Sequence, residues 1–282
     1  PIGSRGLGDV YKRQEITYKK AVDLGSSYAD TYNNLGATLS DLNKLSEAEL
    51  NYREAIDIDP NSARAYHNLG LLSVIKKEFN KAKEYYQRAL ELNPQLIDAH
   101  FSLSLCQLAL AEFSTGFSLY ETRYDSALST QIAIPPTTNV PQYQGNHLVH
   151  DLKDKHLLIL PEQGIGDEVM FASVLPDLES LAALSPSTRI TIACDSRLVR
   201  LYERSFNFLN VIPKDQGNQY QYLTKNLDYW MFIGSLPRLY RNKIEDFNHY
   251  QPYLVVDPTL AEIWQERPVS YTHLTLPTRL SV

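Results

Sequence analysis

The segment Pro161-Glu162-Gln163-Gly164-Ile165-Gly166-Asp167 places two carboxylates and a side-chain amide around a Gly-x-Gly turn. Gly164 and Gly166 free the backbone to turn sharply, and a helix starting there would aim its first N–H groups at the loop. Asp167 at that helix start could take a proton from a bound hydroxyl as a general base. It could equally satisfy orphan N–H groups and the helix dipole. Glu162 and Gln163 could hydrogen-bond a sugar hydroxyl or simply tie the loop down. A dinucleotide site is disfavoured, although Asp195 ends the next strand where a ribose would be held. Val169 replaces the third glycine of the fingerprint, and Asp167 and Glu168 would both face the pyrophosphate.

Other constellations carry less. Asp57-Ile58-Asp59 imitates a metal-holding Asp-x-Asp pair, but it closes a helical segment and reads as surface charge. His147 and His150 have no carboxylate or thiol companion at metal spacing, and Cys106 and Cys194 stand alone. No metal centre, disulfide framework or bound cofactor is therefore expected. Asn34 and Asn68 lie 34 residues apart, each just before a leucine and a glycine. A side-chain amide offers acceptor and donors together, so a row of them can bond both sides of a peptide unit. The alternative is that they face solvent or bond local backbone.

The elements that must hold these residues fall into two halves. Aligning Ala29 with Ala63 superimposes Tyr32 on Tyr66, Leu35-Gly36 on Leu69-Gly70, Ala48 on Ala82, Tyr52 on Tyr86, Ala55 on Ala89 and Pro60 on Pro94. Such self-similarity, with small residues where helices approach and proline after the second helix, marks stacked helical hairpins. Tyr18 and Ala21 keep the register upstream, and Leu103, Gly116 and Tyr120 keep it downstream. Arg123 falls where Ala55 and Ala89 sit. A long charged side chain should not enter that packed position, so the stack is expected to end there in a polar cap. Residues 125–154 read as a linker, with Pro135, Pro136 and Pro141 unable to propagate a helix. Beyond it, strands at 156–160, 189–194, 209–212 and 227–233 alternate with helices at 168–175 and 198–206. That order predicts a parallel α/β sheet.

Both ends look foreign to the fold. Asp9 to Gln14 is what a transposon-end sequence used in library preparation would encode, and Val269 to Thr278 matches the same element read on the opposite strand. Residues 1–14 and 268–282 are thus expected to be adapter artefacts that make few contacts with the body. Without them the chain carries 23 Lys+Arg against 32 Asp+Glu, a net charge of −9 rather than −6. That balance, with no basic cluster, excludes nucleic acid as an expected partner. No apolar run approaches the ~20 residues needed to span a bilayer, and a cytoplasmic protein is expected.

The 34-residue register resembles the tetratricopeptide repeat (TPR). Gly116-Phe117-Ser118-Leu119-Tyr120-Glu121-Thr122-Arg123, then Pro141-Gln142-Tyr143-Gln144-Gly145, then Glu162-Gln163-Gly164-Ile165-Gly166-Asp167 resembles bacterial TPR proteins with a heptosyltransferase-related, glycosyltransferase-like domain. Phe117, Thr122 and Tyr143 stand where that family usually has tryptophan. Asp228-Tyr229, Ser235-Leu236-Pro237 and Pro252-Tyr253-Leu254 also follow in family order.

The resemblance implies an α-helical TPR solenoid followed by an α/β Rossmann-like lobe, the N-terminal half of a GT-B fold. Its boundaries would be 15–124 for repeats, 125–154 for linker, 155–258 for the lobe and 259–267 for the start of an inter-lobe segment. It further implies that the parent moves a sugar from a nucleotide-sugar donor, without a metal, to an acceptor held by the repeats. That acceptor could be a protein, held as asparagine ladders hold peptides in O-GlcNAc transferase repeats. Asp167 would be the general base at the cleft mouth, and this chain, ending before the donor lobe, would be inactive. The competing expectation is a non-catalytic TPR adaptor binding protein or peptide through its concave face, with Asn34 and Asn68 pointing into the groove one repeat apart.

Overall fold

Small and aromatic residues at helical spacing fold the first half into paired helices. The structure is a computed structural model that describes residues 4–25, 27–124, 140–162, 164–214, 227–247 and 252–265. Seven helices run in order: α1 Ser4–Asp23, α2 Ala29–Asp41, α3 Leu45–Ile58, α4 Ala63–Ile75, α5 Phe79–Leu92, α6 Ile97–Ala109 and α7 Phe113–Tyr120. The pairs α2/α3, α4/α5 and α6/α7 form three hairpins, and α1 packs on the first. Each hairpin turns through a residue in the left-handed region at one register position, Asn43, Lys77 and Ala111 (φ 59°, 61° and 60°).

The inter-helix contacts repeat as the register requires. Ala48, Tyr52, Ala55, Ala82, Tyr86 and Ala89 are all buried. A Cβ on Gly36 would stand 2.6 Å from the Tyr52 ring, and one on Gly70 would collide with Tyr86. The tyrosine therefore lies on bare helix backbone, and only glycine permits that approach. Ion pairs bind hairpin to hairpin with swapped polarity at equivalent positions: Lys44 to Glu15, and Lys83 to Glu112, each at 2.5 Å. Where both of those positions are acidic, Glu49 instead takes Lys76. The Asp-x-Asp segment has an ordinary role, since Asp59 accepts the Asn61 N–H just as Asn93 accepts that of Gln95.

Residues 4–14 continue into α1 as one helix, and those from Gly8 to Gln14 are exposed or half-buried. Residues 1–3 and 268–282 lie outside the described residues, as does the proline cluster of 134–138. The remainder of the expected linker is different in kind. Val140 packs on the sheet, Tyr143, Leu148 and Leu152 are buried, and α8 (Leu148–Asp151) is one helical turn.

Among the described residues of the second half, apolar runs form four parallel strands: β1 His156–Leu160, β2 Arg189–Cys194, β3 Asn210–Pro213 and β4 Tyr229–Phe232. Their order is β3-β2-β1-β4. Leu157 pairs with Ile190 on one side and Tyr229 on the other. Helices α9 (Ile165–Phe171), α10 (Glu179–Ala182) and α11 (Val199–Ser205) fill the crossovers, with a 3₁₀ stretch Ala172–Leu178 between the first two. The predicted 168–175 helix thus starts earlier and tightens into 3₁₀ geometry, with Pro176 inside that stretch.

One sheet face, with Leu157, Ile159, Ile190, Ile192 and Met231, buries against the helices. The other, with Leu158, Leu160, Trp230 and Phe232, packs against Tyr124 and Val140. The β4 edge is covered, since Trp230 donates to the Pro141 carbonyl and accepts from the Tyr143 N–H. Asp228 clamps the strand starts together by accepting the His156 N–H at 2.8 Å and Lys155 Nζ at 3.1 Å.

Candidate functional site

The strand order places a switch point between β1 and β4, because the chain winds outward through β2 and β3 and then returns to the far side of β1. Open α/β sheets bind ligands in the crevice outside the carboxyl ends of such strands. Here Glu162 leaves β1, and Gly234 and Ser235 leave β4. Arg123 enters that crevice from the end of the repeat stack, through the 3₁₀ turn Glu121–Tyr124 that continues α7.

Arg123 is fully buried at 0 % exposure, and this corrects the expectation of a polar cap. A guanidinium does enter the packed position, because partners for its fork are waiting there. Nε donates to Glu162 Oε2 at 2.8 Å and Nη2 to Glu162 Oε1 at 3.0 Å, a bidentate pair. Nη1 donates to the Tyr120 carbonyl and to Glu121 Oε1, each at 2.9 Å. Nη2 also reaches Ser235 Oγ at 3.2 Å and the Tyr124 hydroxyl. The guanidinium carbon lies 4.3 Å from the Tyr120 ring centre and 4.0 Å from that of Tyr124. Burial works against its charge, but Glu162, Tyr124 and Glu121 together outweigh burial and hold it protonated. Burial also pushes the Tyr124 hydroxyl far above the usual phenol range.

Glu162 is committed on both oxygens. Besides Arg123, Oε1 accepts the Gly234 N–H at 2.6 Å, and Oε2 accepts the Tyr124 hydroxyl at 3.3 Å. A Cβ on Gly234 would collide with that carboxylate, so glycine is required for the close approach. Of the two roles open to Glu162, tying the loop down is the one its geometry serves. Gln163 lies outside the described residues.

The glycine loop also differs from expectation. Gly164 has φ −96° and ψ 172°, extended backbone open to any residue, and a Cβ on Gly166 would meet nothing within 4 Å. Neither uses glycine's freedom; both leave the backbone at the start of α9 uncovered. Asp167 is half-buried in the first turn of α9, and its Oδ2 accepts the Gly164 N–H at 3.2 Å. That is a helix-start contact, made at the carboxyl end of β1.

Beside it lies a buried carboxylate, Glu168, which the sequence raised only as an argument against a dinucleotide. Glu168, 1 % exposed, turns inward and accepts the Asp195 N–H at 2.8 Å and Lys214 Nζ at 2.6 Å. Its carbonyl accepts the Tyr202 hydroxyl. Asp195 also pairs with Arg197 at 2.8 Å, which holds its carboxyl well below the usual range. Burial pushes the neighbouring Cys194 thiol up to about 12, so it stays protonated. No periodic signal could have found Glu168: it follows a half-buried aspartate, and its partners Asp195 and Lys214 stand just past the ends of β2 and β3.

In the repeats, the amide pairing is offset from the expected one. Asn68 Nδ2 donates to Asn33 Oδ1 at 2.8 Å, and His67 Nε2 meets Ser102 Oγ at 3.0 Å. These bonds join α2 to α4 and α4 to α6, linking successive first helices. Asn34 is exposed and Asn68 half-buried, so the two equivalent positions are not in equivalent environments. The outward face of these helices repeats with the register. Asp30, Arg64 and Asp98 sit at its start, then Asn34, Asn68 and Ser102, then Ala37, Leu71 and Leu105, with Asp41, Ile75 and Ala109 at its end. Leu71, Ile75 and Leu105 are 41 %, 53 % and 46 % exposed. Among the described residues no helix is long and apolar enough to cross a membrane.

The comparisons meet the repeats. Residues 63–96 match the family model of the tetratricopeptide repeat, and residues 38–73 match a second TPR-repeat model. Protein FlbA of Caulobacter vibrioides is 33% identical over 159 residues, 53% of this chain and 25% of FlbA. The chain therefore spans about a quarter of that curated relative's length. Among solved structures, MamA is 27% identical with a TM-score of 0.38, over 43% of this chain and 70% of its own. Pseudomonas aeruginosa PilF is 25% identical with a TM-score of 0.38, over 43% and 58%. The first TPR of Spaghetti (RPAP3), solved with the HSP90 peptide SRMEEVD, is 25% identical with a TM-score of 0.34, over 37% and 87%. The chain is a TPR-containing protein with a small parallel sheet behind the repeats.

Proposed function

We propose that this chain is a polypeptide-binding repeat module built onto the first lobe of a GT-B glycosyltransferase-like protein. The observation that carries the binding half is the outward face of α2, α4 and α6. Leu71 and Leu105 stand exposed there in register, with Ile75 one turn further along α4, on the face that also carries the amide of Asn34 and the hydroxyl of Ser102. Exposed apolar groups rimmed by polar ones mark an interaction surface, and stacked repeats present such faces on their concave side. Asp30, Asp41 and Asp98 outnumber Arg64 along it. The favoured occupant is therefore an extended segment with apolar side chains between neutral or basic ones.

Peptides selected on the whole chain from a random-sequence library test this by fluorescence anisotropy. Leu71→Glu and Leu105→Glu should each weaken the selected peptide at least about tenfold, the equivalent of one lost apolar anchor. Leu50→Glu, on the outer helix α3, should leave binding unchanged. A library that yields no binder, or a binder indifferent to Leu71→Glu, contradicts the proposal.

A second reading gives a longer parent glycosyl transfer, with a nucleotide-sugar as donor and a protein as the possible acceptor. Its support is the motif resemblance together with the half-buried Asp167 at the carboxyl end of β1. Against it stands the Asp167 contact with Gly164, which a plain helix start would also make. The reading requires a donor-binding lobe in the parent, which the described residues do not include.

A further inference from the structure

We propose that the β1/β4 switch-point crevice is a guanidinium site filled in cis by Arg123, and that it locks the repeat stack to the α/β body as one rigid unit. The sheet supplies the acceptors: the Glu162 carboxylate, aligned by the Gly234 N–H at 2.6 Å, and Ser235 Oγ. The repeats supply the guanidinium and its lining, the two tyrosine rings and Glu121. Ser235 Oγ closes the ring by donating to Glu121 Oε2 at 2.9 Å.

A single cation is thus met by two carboxylates, two aromatic faces and two hydroxyls, with parallel N–H groups engaging one carboxylate edge to edge. That pattern selects a planar fork over a point charge. An ammonium at the same place could not make the parallel pair to Glu162 and still reach Glu121, Ser235 and the Tyr120 carbonyl, because it has only three donors and they radiate from one atom. The position itself is where a sheet of this topology would take a ligand. The chain's own arginine stands there, so the switch point is already occupied by a guanidinium. The residues of three separated motifs, Tyr120-Glu121-Arg123, Glu162 and Ser235, meet at this one place. Independent support for a rigid joint comes from two further contacts across it. Phe113 of α7 packs on Phe247 with ring centres 4.6 Å apart, and Tyr120 packs on Phe171 at 6.4 Å.

Chemical rescue tests the site on the whole chain. Arg123→Ala leaves a guanidinium-shaped space between the carboxylates and rings. This variant should melt about 10 °C lower, the shift expected for an unpaired buried carboxylate in a chain of this size. It should also lose hydrogen-exchange protection at the Gly234 amide. Ethylguanidinium at low millimolar concentration should restore both, whereas ethylammonium should restore neither. Arg123→Met, which fills the space with an apolar chain, should not respond. If Arg123→Ala fails to fold alone, refolding that depends on ethylguanidinium is the same result. Arg123→Lys should fold yet melt below the parent. The proposal is overturned if ethylguanidinium does not rescue, if it raises Arg123→Met equally, or if Arg123→Lys matches the parent.

Discussion

At the end of the repeats the Arg123 guanidinium lies buried between the Tyr120 and Tyr124 rings and pairs with Glu162. The position of Arg123 in the 34-residue register was plain, and its charge argued for a boundary, because alanine fills the equivalent buried sites. What overrides that argument is a carboxylate 39 residues away, a pairing that no local periodicity encodes. Glu168 is hidden for the same reason, since its lysine and backbone partners, Lys214 and Asp195, stand just past the ends of β3 and β2. Asp167 is the opposite case, easily found and chemically ambiguous. Its contact with the Gly164 N–H is a modest helix-start interaction, so its substitution should leave the fold intact. In a parent that carries a donor lobe, Asp167→Asn should lower the transfer rate ~10²–10⁴-fold, the usual worth of a general base. Acceptor binding should be nearly unchanged. An undiminished rate returns the residue to helix capping alone.

At the scale of elements, the repeats and strands were legible because their signals are local and periodic. The glycine–tyrosine contacts, the buried alanines and the left-handed turn residues all recur every 34 positions, as the packing of identical hairpins demands. The ladder between helices was not legible in detail. Helices in successive hairpins meet with an offset of one residue, so Asn68 bonds Asn33 rather than aligning with Asn34.

The same ladder holds His67 against Ser102, with the Tyr86 ring centre 5.6 Å away. Burial pushes the His67 imidazole below its ordinary value of 6.5, with Asp98 partly opposing. A lowered folded value means that the unfolded chain binds the proton more readily. Stability is therefore full above the ordinary histidine range and falls as pH drops toward the folded value. The melting temperature should decline between about pH 7.5 and about pH 5.5, and His67→Gln, which keeps a hydrogen-bonding group without the titration, should flatten that decline. An unchanged slope in the variant removes His67 as the cause.

Over the whole molecule, the boundary between halves proved less separate than composition suggested. Prolines and a loss of periodicity mark residues 125–154 as a break. Yet Val140, Tyr143 and Leu148 belong to the sheet's own packing, and Tyr124 stacks on Phe232 with ring centres 4.8 Å apart. The end of the repeats supplies part of the cover for one sheet face, so each half leaves apolar surface bare without the other. Such mutual cover argues for one cooperative body in which a segment bound along α2, α4 and α6 keeps a fixed relation to the Asp167 loop.

Two probes separate the halves without altering the chain. Both tryptophans, Trp230 and Trp264, lie beyond the repeats, while far-UV circular dichroism reports mainly the repeat helices. Denaturant unfolding followed by tryptophan fluorescence and by circular dichroism should give coincident midpoints. A fluorescence transition clearly displaced from the helical one, in the unaltered protein, would contradict the single-body account.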